Sequence, residues 1–201
     1  MLFPARCGGC RRRGWAVCPA CAAALRPACP PRPPGLDGCA SLVRFEGPAR
    51  PLVAELKYRN NRAALAWWGA RLAGLVAELA PAVPATITWA PTTEARCRER
   101  GFDQAELLAR ALAVELGVAQ RRLLARLAGP PQTGRSRQAR LHGPAFRYVG
   151  PAALGGPALG GPVLVVDDVL TTGATLAGAA RTLRVAGFAP IYALTAAWTP
   201  L

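Results

Sequence analysis

Two adjacent carboxylates, Asp167 and Asp168, follow a run of valine and leucine at residues 163–166. The run predicts a buried strand, which would deliver both carboxylates to its C-terminal end. A hydroxyl-rich turn with one glycine comes next and opens a predicted helix over residues 172–186, which Gly187 would end. Because ligands of open α/β sheets bind at the carboxyl ends of strands, this segment is a candidate ligand site.

The turn has the chemistry of a phosphate site. Its backbone N–H groups, the positive end of the helix dipole and the threonine hydroxyls together suit a phosphate dianion. Gly173 lets the backbone approach a ligand closely, and the two aspartates are placed to accept hydrogen bonds from a neighbouring sugar diol. The alternative is an ordinary turn that Thr171 or Thr172 caps, with both aspartates solvated. The candidate phosphate-binding residues are Thr171, Thr172, Gly173, Ala174 and Thr175.

A second segment is rich in arginine. A strand predicted at Thr86–Trp89 leads into a loop that carries Arg96, Arg98 and Arg100 at alternate positions. Guanidinium groups bind phosphate oxygens in a bidentate fork, so these side chains could clamp a polyphosphate. The alternative is a solvated basic loop before the helix predicted over residues 103–116, with Asp103 as its N-cap.

Two Cys-x2-Cys pairs lie near the start of the chain. Each pair can chelate one face of a tetrahedral ion, and two pairs make a closed, all-thiolate structural zinc site. Between the pairs, arginines 11–13 and Trp15 could neutralise and stack on single-stranded nucleic acid. The alternative, which we slightly favour, is that Trp15 packs the small core while the arginines are solvated. The candidate Zn²⁺ ligands are Cys7, Cys10, Cys18 and Cys21.

The remaining cysteines and the single histidine receive no role. Cys97 lies among arginines that could lower its thiol pKa, but no partner base is evident. A lone histidine in a loop is more often incidental than catalytic. The residues left without a role are Cys29, Cys39, Cys97 and His142.

The elements that must position these groups divide into three parts. We expect a zinc-binding module over residues 1–28, a Pro-rich linker over 29–40 that is too poor in apolar residues to pack, and an α/β domain over 41–201. Helical spacing predicts a helix at Arg62–Leu79, and residues 191–198 predict the last strand. Strands alternating with helices imply a mainly parallel sheet covered on both faces. Residues 129–143 are polar and basic and predict a loop.

Composition narrows the class of ligand. The formal net charge is +14, which favours polyanions, either nucleic acid or a phosphorylated small molecule. No apolar signal segment precedes the first cysteine, and no apolar stretch is free of helix-breaking residues for long enough to span a membrane. We therefore expect a cytoplasmic protein without membrane insertion. Neither a Walker A string nor a G-x-G-x-x-G after a strand is present, so an NTPase or a dinucleotide site has no support.

Residues 163–175 resemble the phosphoribosyl pyrophosphate (PRPP) signature of type I phosphoribosyltransferases. Together with the cysteine pairs and residues 56–59, 100–104 and 132–146, taken in this order, they resemble the ComF family of zinc-bearing phosphoribosyltransferase-like proteins. The resemblance implies that Asp167 and Asp168 are catalytic and contact the ribose hydroxyls, and that the turn holds the 5′-phosphate. It also implies that the arginine-rich segment is the pyrophosphate-binding loop. The sequence departs from the family pattern at two places. Asp103 replaces an asparagine, and His142 lies in an insertion in the third loop, residues 132–146.

The resemblance implies two alternative functions. The first is a phosphoribosyltransferase that binds PRPP with Mg²⁺ and transfers ribosyl phosphate to a nitrogen acceptor, linked to DNA uptake in natural transformation. The second is a non-enzymatic adaptor that uses the same fold to hold single-stranded DNA and a DNA-translocation ATPase. Composition does not separate the two, because phosphorylated sugars and DNA are both polyanions.

Overall fold

The computed structural model describes residues 5–58, 62–127, 144–151 and 161–200. Groups of helices alternate with groups of strands along the described residues. In chain order they are α1 (Pro19–Ala23), β1 (Gly38–Arg44), α2 (Ala49–Tyr58), α3 (Arg62–Leu79), β2 (Thr86–Trp89), α4 (Glu94–Arg100), α5 (Gln104–Leu116), β3 (Ala119–Gln120), β4 (Leu124–Arg126), β5 (Phe146–Tyr148), β6 (Val163–Leu170), α6 (Ala174–Val185) and β7 (Ile191–Trp198).

The central sheet has five strands in the order β1-β7-β6-β2-β3. Every neighbouring pair in it is parallel, which confirms the predicted α/β class. Strands β4 and β5 form a separate antiparallel pair. This pair lies outside the five-stranded sheet.

Helices cover both faces of this sheet. One apolar core lies on the face covered by α2, α3 and α5 and includes the buried residues Trp68, Leu108 and Leu164. The other core lies against α6 and the β4–β5 pair and includes Val165 and Leu183. Residues from β6 enter both cores, so β6 is buried on both sides, as a central strand of a parallel sheet must be. None of the described helices is both long and apolar enough to cross a membrane.

The cysteine-rich segment is docked on the rest of the chain. Cys7 and Cys18 are fully buried and belong to the same core as α2 and α3. The backbone at Gly8 meets α2 so closely that a Cβ there would lie 2.9 Å from Cγ of Glu55. Nη1 of Arg11 also donates to Oε1 of Glu55 at 2.6 Å. The segment and α2 therefore share one packed interface.

The Pro-rich stretch also packs, which corrects the expectation that it lacks the residues to do so. Leu36 is only 6% exposed and joins the core beside α6. Pro33 is buried as well, although Pro31 and Pro34 on either side of it are exposed. Strand β1 begins at Gly38, so residues 38–40 belong to the sheet and not to a linker. A few apolar side chains suffice because the body of the fold supplies the other side of each contact.

Candidate functional site

The candidate site lies where the direction of the chain reverses in the sheet. From β2 the chain crosses through α4 and α5 to β3 on one side, whereas from β6 it crosses through α6 to β7 on the other. Since β2 and β6 are neighbours, a crevice opens between their carboxyl ends. In open α/β sheets this topological switch point is where ligands bind.

Asp167 and Asp168 lie at that crevice, inside β6 and not after it. Pairing of β6 with β2 ends at Val166, opposite Trp89, whereas pairing with β7 continues to Leu170. Both aspartates therefore follow the point at which β6 loses its β2 neighbour. Oδ1 of Asp167 accepts the N–H of Asp168 at 2.8 Å, and Oδ1 of Asp168 accepts the N–H of Val169 at 2.7 Å. These local bonds fix the orientation of the two carboxylates.

Three carboxyl groups share the electrostatics of this crevice. Burial, followed by the negative charge of Asp168, raises the pKa of Asp167 well above its usual range. Burial is also the main cause of a raised pKa at Asp103, where backbone N–H donors oppose it and Asp168 adds to it. Asp167 and Asp103 thus resist ionisation, and a cation bound beside them would favour their charged forms.

The phosphate turn, which we define as residues 171–173, connects β6 to α6 as predicted. Gly173 adopts a left-handed conformation with φ 78° and is the N-cap of α6, where no side chain caps the helix. The hydroxyl of Thr172 accepts the N–H of Ala174 at 3.4 Å. Thr171 and Thr172 are exposed and Thr175 is half-buried. The N-cap of α6 is therefore Gly173 and not a threonine, although Thr172 accepts the first N–H of the helix, as in the alternative of a threonine-capped turn.

The arginine-rich segment is a helix, which corrects its prediction as a loop. Helix α4 has seven residues, and the hydroxyl of Thr93 caps it by accepting the N–H of Arg96. Alternate residues of an extended loop share one side, but successive alternate residues of a helix lie about 200° apart. Arg96 and Arg100 therefore share a face and Arg98 lies on another. The three side chains cannot form one clamp.

Asp103 links the two ends of the segment at residues 92–103, which contains α4. Its Oδ1 accepts the N–H of Ala105 at 3.0 Å, which confirms it as the N-cap of α5. Its Oδ2 accepts the N–H of Thr92 at 2.8 Å, which ties the end of the segment to its beginning. Gly117 ends α5 in a left-handed conformation with φ 65°. Asp103 thus acts both as a cap and as a brace beside the acid pair.

Cys97, on α4, does not have the lowered pKa that its arginine neighbours suggested. Burial raises the pKa of its thiol, and the negative charges of Asp103 and Glu106 add to that effect. Together with burial, these two carboxyls outweigh the positive charge of Arg122, which acts to lower the pKa of Cys97. An activated thiol is therefore not part of this site.

Sequence reasoning missed two residues near the crevice. The positive charge of Arg126, on β4, favours the ionised form of Asp167 and so opposes the rise in its pKa. The guanidinium of Arg126 lies 6.0 Å from the centre of the Phe146 ring. Pro33 packs directly on Gly173. No local pattern in the sequence points to either residue, because both reach the site from distant parts of the chain.

The four predicted zinc ligands do come together. The Sγ atoms of Cys7, Cys10, Cys18 and Cys21 all lie within 4.8 Å of one another. Sγ of Cys10 and Sγ of Cys18 are 3.6 Å apart, close to the roughly 3.8 Å expected between ligands of a tetrahedral site with Zn–S of about 2.3 Å. The cluster can therefore hold a metal ion such as zinc.

The thiols of this cluster differ in how readily they ionise. Burial acts to raise the pKa of Cys7, but N–H donors of Cys18, Cys10 and Gly9 outweigh it and lower the pKa to about 6. At Cys21, burial and the neighbouring cysteines raise the pKa instead. Ionisation of one thiol thus disfavours ionisation of its neighbours, and a bound cation would compensate their negative charges.

Trp15 does not pack the core of the cysteine segment, which corrects our sequence interpretation. It is 51% exposed, and Val17 is buried in its place. Arg12 and Arg13 are exposed beside it, whereas Arg11 pairs with Glu55. The turn between the cysteine pairs therefore presents an aromatic ring and cationic groups to solvent.

Several predicted features lie outside the described residues. These are Arg59 of the segment at residues 56–59, His142, and most of the third loop at residues 132–146. The described residues do bring the acid pair, the phosphate turn and the segment that follows β2 to one end of the sheet. In comparisons with known proteins, no family model matches the chain and no curated protein matches it.

Proposed function

We propose that this chain is a ComF-like protein of the phosphoribosyltransferase class that binds PRPP with Mg²⁺ at the switch-point crevice. The observation that carries the proposal is the convergence of an acid pair and a helix N-terminus without a side-chain cap at the carboxyl ends of β2 and β6. Carboxylate acceptors that suit a sugar diol, next to N–H donors that suit a phosphate, support the proposal because a ribose 5-phosphate requires both.

The role of each group follows from its chemistry. Asp167 and Asp168 accept hydrogen bonds from the 2′- and 3′-hydroxyls of the ribose. The N–H groups of the phosphate turn and of the first turn of α6 donate to the 5′-phosphate, where the helix dipole adds attraction. The left-handed Gly173 leaves room for the Pro33 ring, which a side chain on residue 173 would meet.

Catalysis in this proposal depends on positioning and fixed charge. Pyrophosphate leaves from the anomeric carbon through an oxocarbenium-like state, and a nitrogen acceptor takes its place. Mg²⁺ enters with the pyrophosphate, because it favours substrate phosphates together with one or two carboxylates. Arg96 and Arg100 share a helix face and are the arginines we assign to the pyrophosphate.

Calorimetric titration of PRPP with Mg²⁺ tests the proposal. The native chain should show saturable binding that the double variant Asp167→Asn/Asp168→Asn loses. The matched control is Glu78→Gln/Glu115→Gln, which removes the same charge at two exposed positions and should bind normally. Removing negative charge should by itself favour an anionic ligand, so loss of binding would identify specific contacts. No binding by the native chain at millimolar PRPP would refute the proposal.

A second candidate function is favoured by the exposure of Trp15. A solvent-facing indole beside Arg12 and Arg13 has the composition of a platform for single-stranded DNA, because bases stack on aromatic rings and arginines neutralise phosphates. In this function the chain is a competence adaptor, and the partner that we would expect is a DNA-translocation ATPase.

Salt dependence tests this second function. Affinity for single-stranded DNA should fall steeply with salt, and Arg12→Ala/Arg13→Ala should reduce the slope of log K against log[salt] by about 1.4, or about 0.7 for each phosphate contact. The control Arg110→Ala/Arg121→Ala removes two exposed arginines elsewhere and should leave the slope unchanged. Affinity that does not depend on salt would exclude DNA as the ligand of this surface.

A further inference from the structure

The side chains of the phosphate turn give it little support among the described residues. Gly173 has no side chain to cap α6, and Thr172 accepts one long bond of 3.4 Å, although the carbonyl of Gly173 accepts the N–H of Ala177 at 2.9 Å. Thr171 and Thr172 are both exposed. A turn made this way would sample several conformations unless something outside it restricted the backbone.

Pro33 supplies that restriction. A Cβ placed on Gly173 would lie 2.8 Å from Cγ and 3.0 Å from Cβ of Pro33. The proline ring therefore sits against the α-carbon of the turn, on the side where any other residue would carry its side chain. Because the ring fixes its own φ, Pro33 is a rigid surface to pack against.

The residues after Pro33 are anchored along α6 and to the start of β7. Nη2 of Arg184 donates to the carbonyl of Gly35 and to Oδ2 of Asp37, both at 2.9 Å. The N–H of Ile191 donates to the same Oδ2 at 2.7 Å. The N–H of Ile191, ahead of burial and the Arg184 charge, is the main influence on Asp37 and lowers the pKa of its carboxyl.

A buried leucine completes the anchoring. Leu36 is 6% exposed and shares its core with Leu176 and Leu183 of α6. Residues 33–37, which we call the strap, therefore make contacts from Gly173 at the N-terminus of α6 to Arg184 near its C-terminus. The far end of the strap is fixed by hydrogen bonds and an apolar contact, so the near end can hold Pro33 in place.

We propose that the strap positions the phosphate turn, with Pro33 as a positioning residue for the site. Pro33 touches no ligand in this arrangement and acts through Gly173. The identity of the ligand rests on the proposed function, but the order of the turn can be measured without any ligand. If the turn is in its binding conformation in only a fraction of molecules, the apparent Kd rises by the inverse of that fraction.

Hydrogen exchange followed by mass spectrometry or NMR tests the positioning directly. Pro33→Ala should speed exchange of the amides at residues 171–175, because the ring no longer restrains the turn. Pro34→Ala is the matched control, since it removes an exposed proline next to the first and changes the unfolded chain equally. Exchange in α5 should remain unchanged in both variants, which separates a local effect from general loosening.

PRPP titration of the same variants supplies the second readout. A turn ordered in about one molecule in ten would bind roughly tenfold more weakly, so Pro33→Ala should lose about that factor while Pro34→Ala keeps native affinity. If Pro33→Ala does not fold, Asp37→Asn loosens the anchor of the strap instead. The same increase in exchange at residues 171–175 is then expected.

The outcomes separate this inference from the proposed function. Equal exchange at residues 171–175 in Pro33→Ala and Pro34→Ala overturns the strap, even if the native chain binds PRPP. Faster exchange only in Pro33→Ala supports the strap, even if the native chain fails to bind PRPP and the proposed function is lost.

Discussion

Replacing Gly173 with alanine should destabilise the chain more than the same change at Gly101. Both glycines have φ 78° and ψ −2°, so the left-handed conformation penalises an alanine equally at the two positions. They differ only in their surroundings. No atom of the described residues lies within 4 Å of a Cβ on Gly101, whereas a Cβ on Gly173 would be 2.8 Å from Cγ of Pro33.

The expected free energies follow from these two terms. A left-handed alanine costs about 1–2 kcal/mol, which is the whole effect expected at Gly101. Overpacking against the buried Pro33 ring adds about 1–3 kcal/mol at Gly173. For a chain of this size each kcal/mol lowers Tm by about 2–4 °C. Gly173→Ala should therefore melt about 2–12 °C below Gly101→Ala.

Denaturant unfolding of both variants, followed by circular dichroism, measures the difference. The slope m should stay constant, so that a shift in midpoint reports stability alone. Combining Gly173→Ala with Pro33→Ala should recover part of the extra loss, because the two residues are in contact. Equal destabilisation at Gly101 and Gly173 would show that Pro33 does not confine the turn and would refute this reasoning.

Three further predictions concern the acid pair and the cysteine segment. The pKa of Asp167 is raised in the folded chain, so the folded state loses stability as pH rises from below the unfolded pKa of about 3.9 through the higher folded pKa. Asp167→Asn should therefore raise Tm at pH 7.5, with a difference that shrinks towards pH 4; a lower Tm at pH 7.5 would contradict the cause we give for the shift. Cys18→Ser should abolish the binding of about one zinc ion per chain, measured by metal analysis, whereas Cys97→Ser should keep it; equal zinc in both variants would rule out our ligand set. Glu55→Gln should cost about 1–3 kcal/mol in denaturant unfolding, because the Glu55 side chain is only 10% exposed although its partner Arg11 is 46% exposed; a loss below about 0.5 kcal/mol would mean that this carboxylate does not help to hold the segment in place.

Local patterns predicted much of the fold. The helix at Arg62–Leu79 and the strands at Thr86–Trp89 and Ile191–Trp198 have the bounds that their periodicity indicates. The turn and the helix after the acid pair are also where we expected them, whereas β6 continues through Asp167 and Asp168 to Leu170. These features follow from side chains within a few residues of one another, which is the range over which periodicity and turn chemistry act.

Helix α4 shows where local reasoning failed although signals were present. The helix begins after a capping residue, Thr93, and ends at a left-handed glycine, Gly101. The alternate spacing of the arginines nevertheless led us to predict a loop. Seven residues are too few for a helix to be stable alone. The bond from Thr92 to Asp103, which closes the segment, is a tertiary contribution that periodicity does not reveal.

The sequence by itself determined the groups that can do chemistry: the cysteine pairs, the acid pair and the glycine turn, each set by short spacing along the chain. Only the tertiary structure decided that β2 and β6 are neighbours, that Pro33 lies on Gly173, and that Trp15 faces solvent while Val17 is buried. The physical reason is that burial depends on which distant surface covers a residue. Which surface covers a residue depends on the packing of the whole chain and cannot be read from the local sequence pattern.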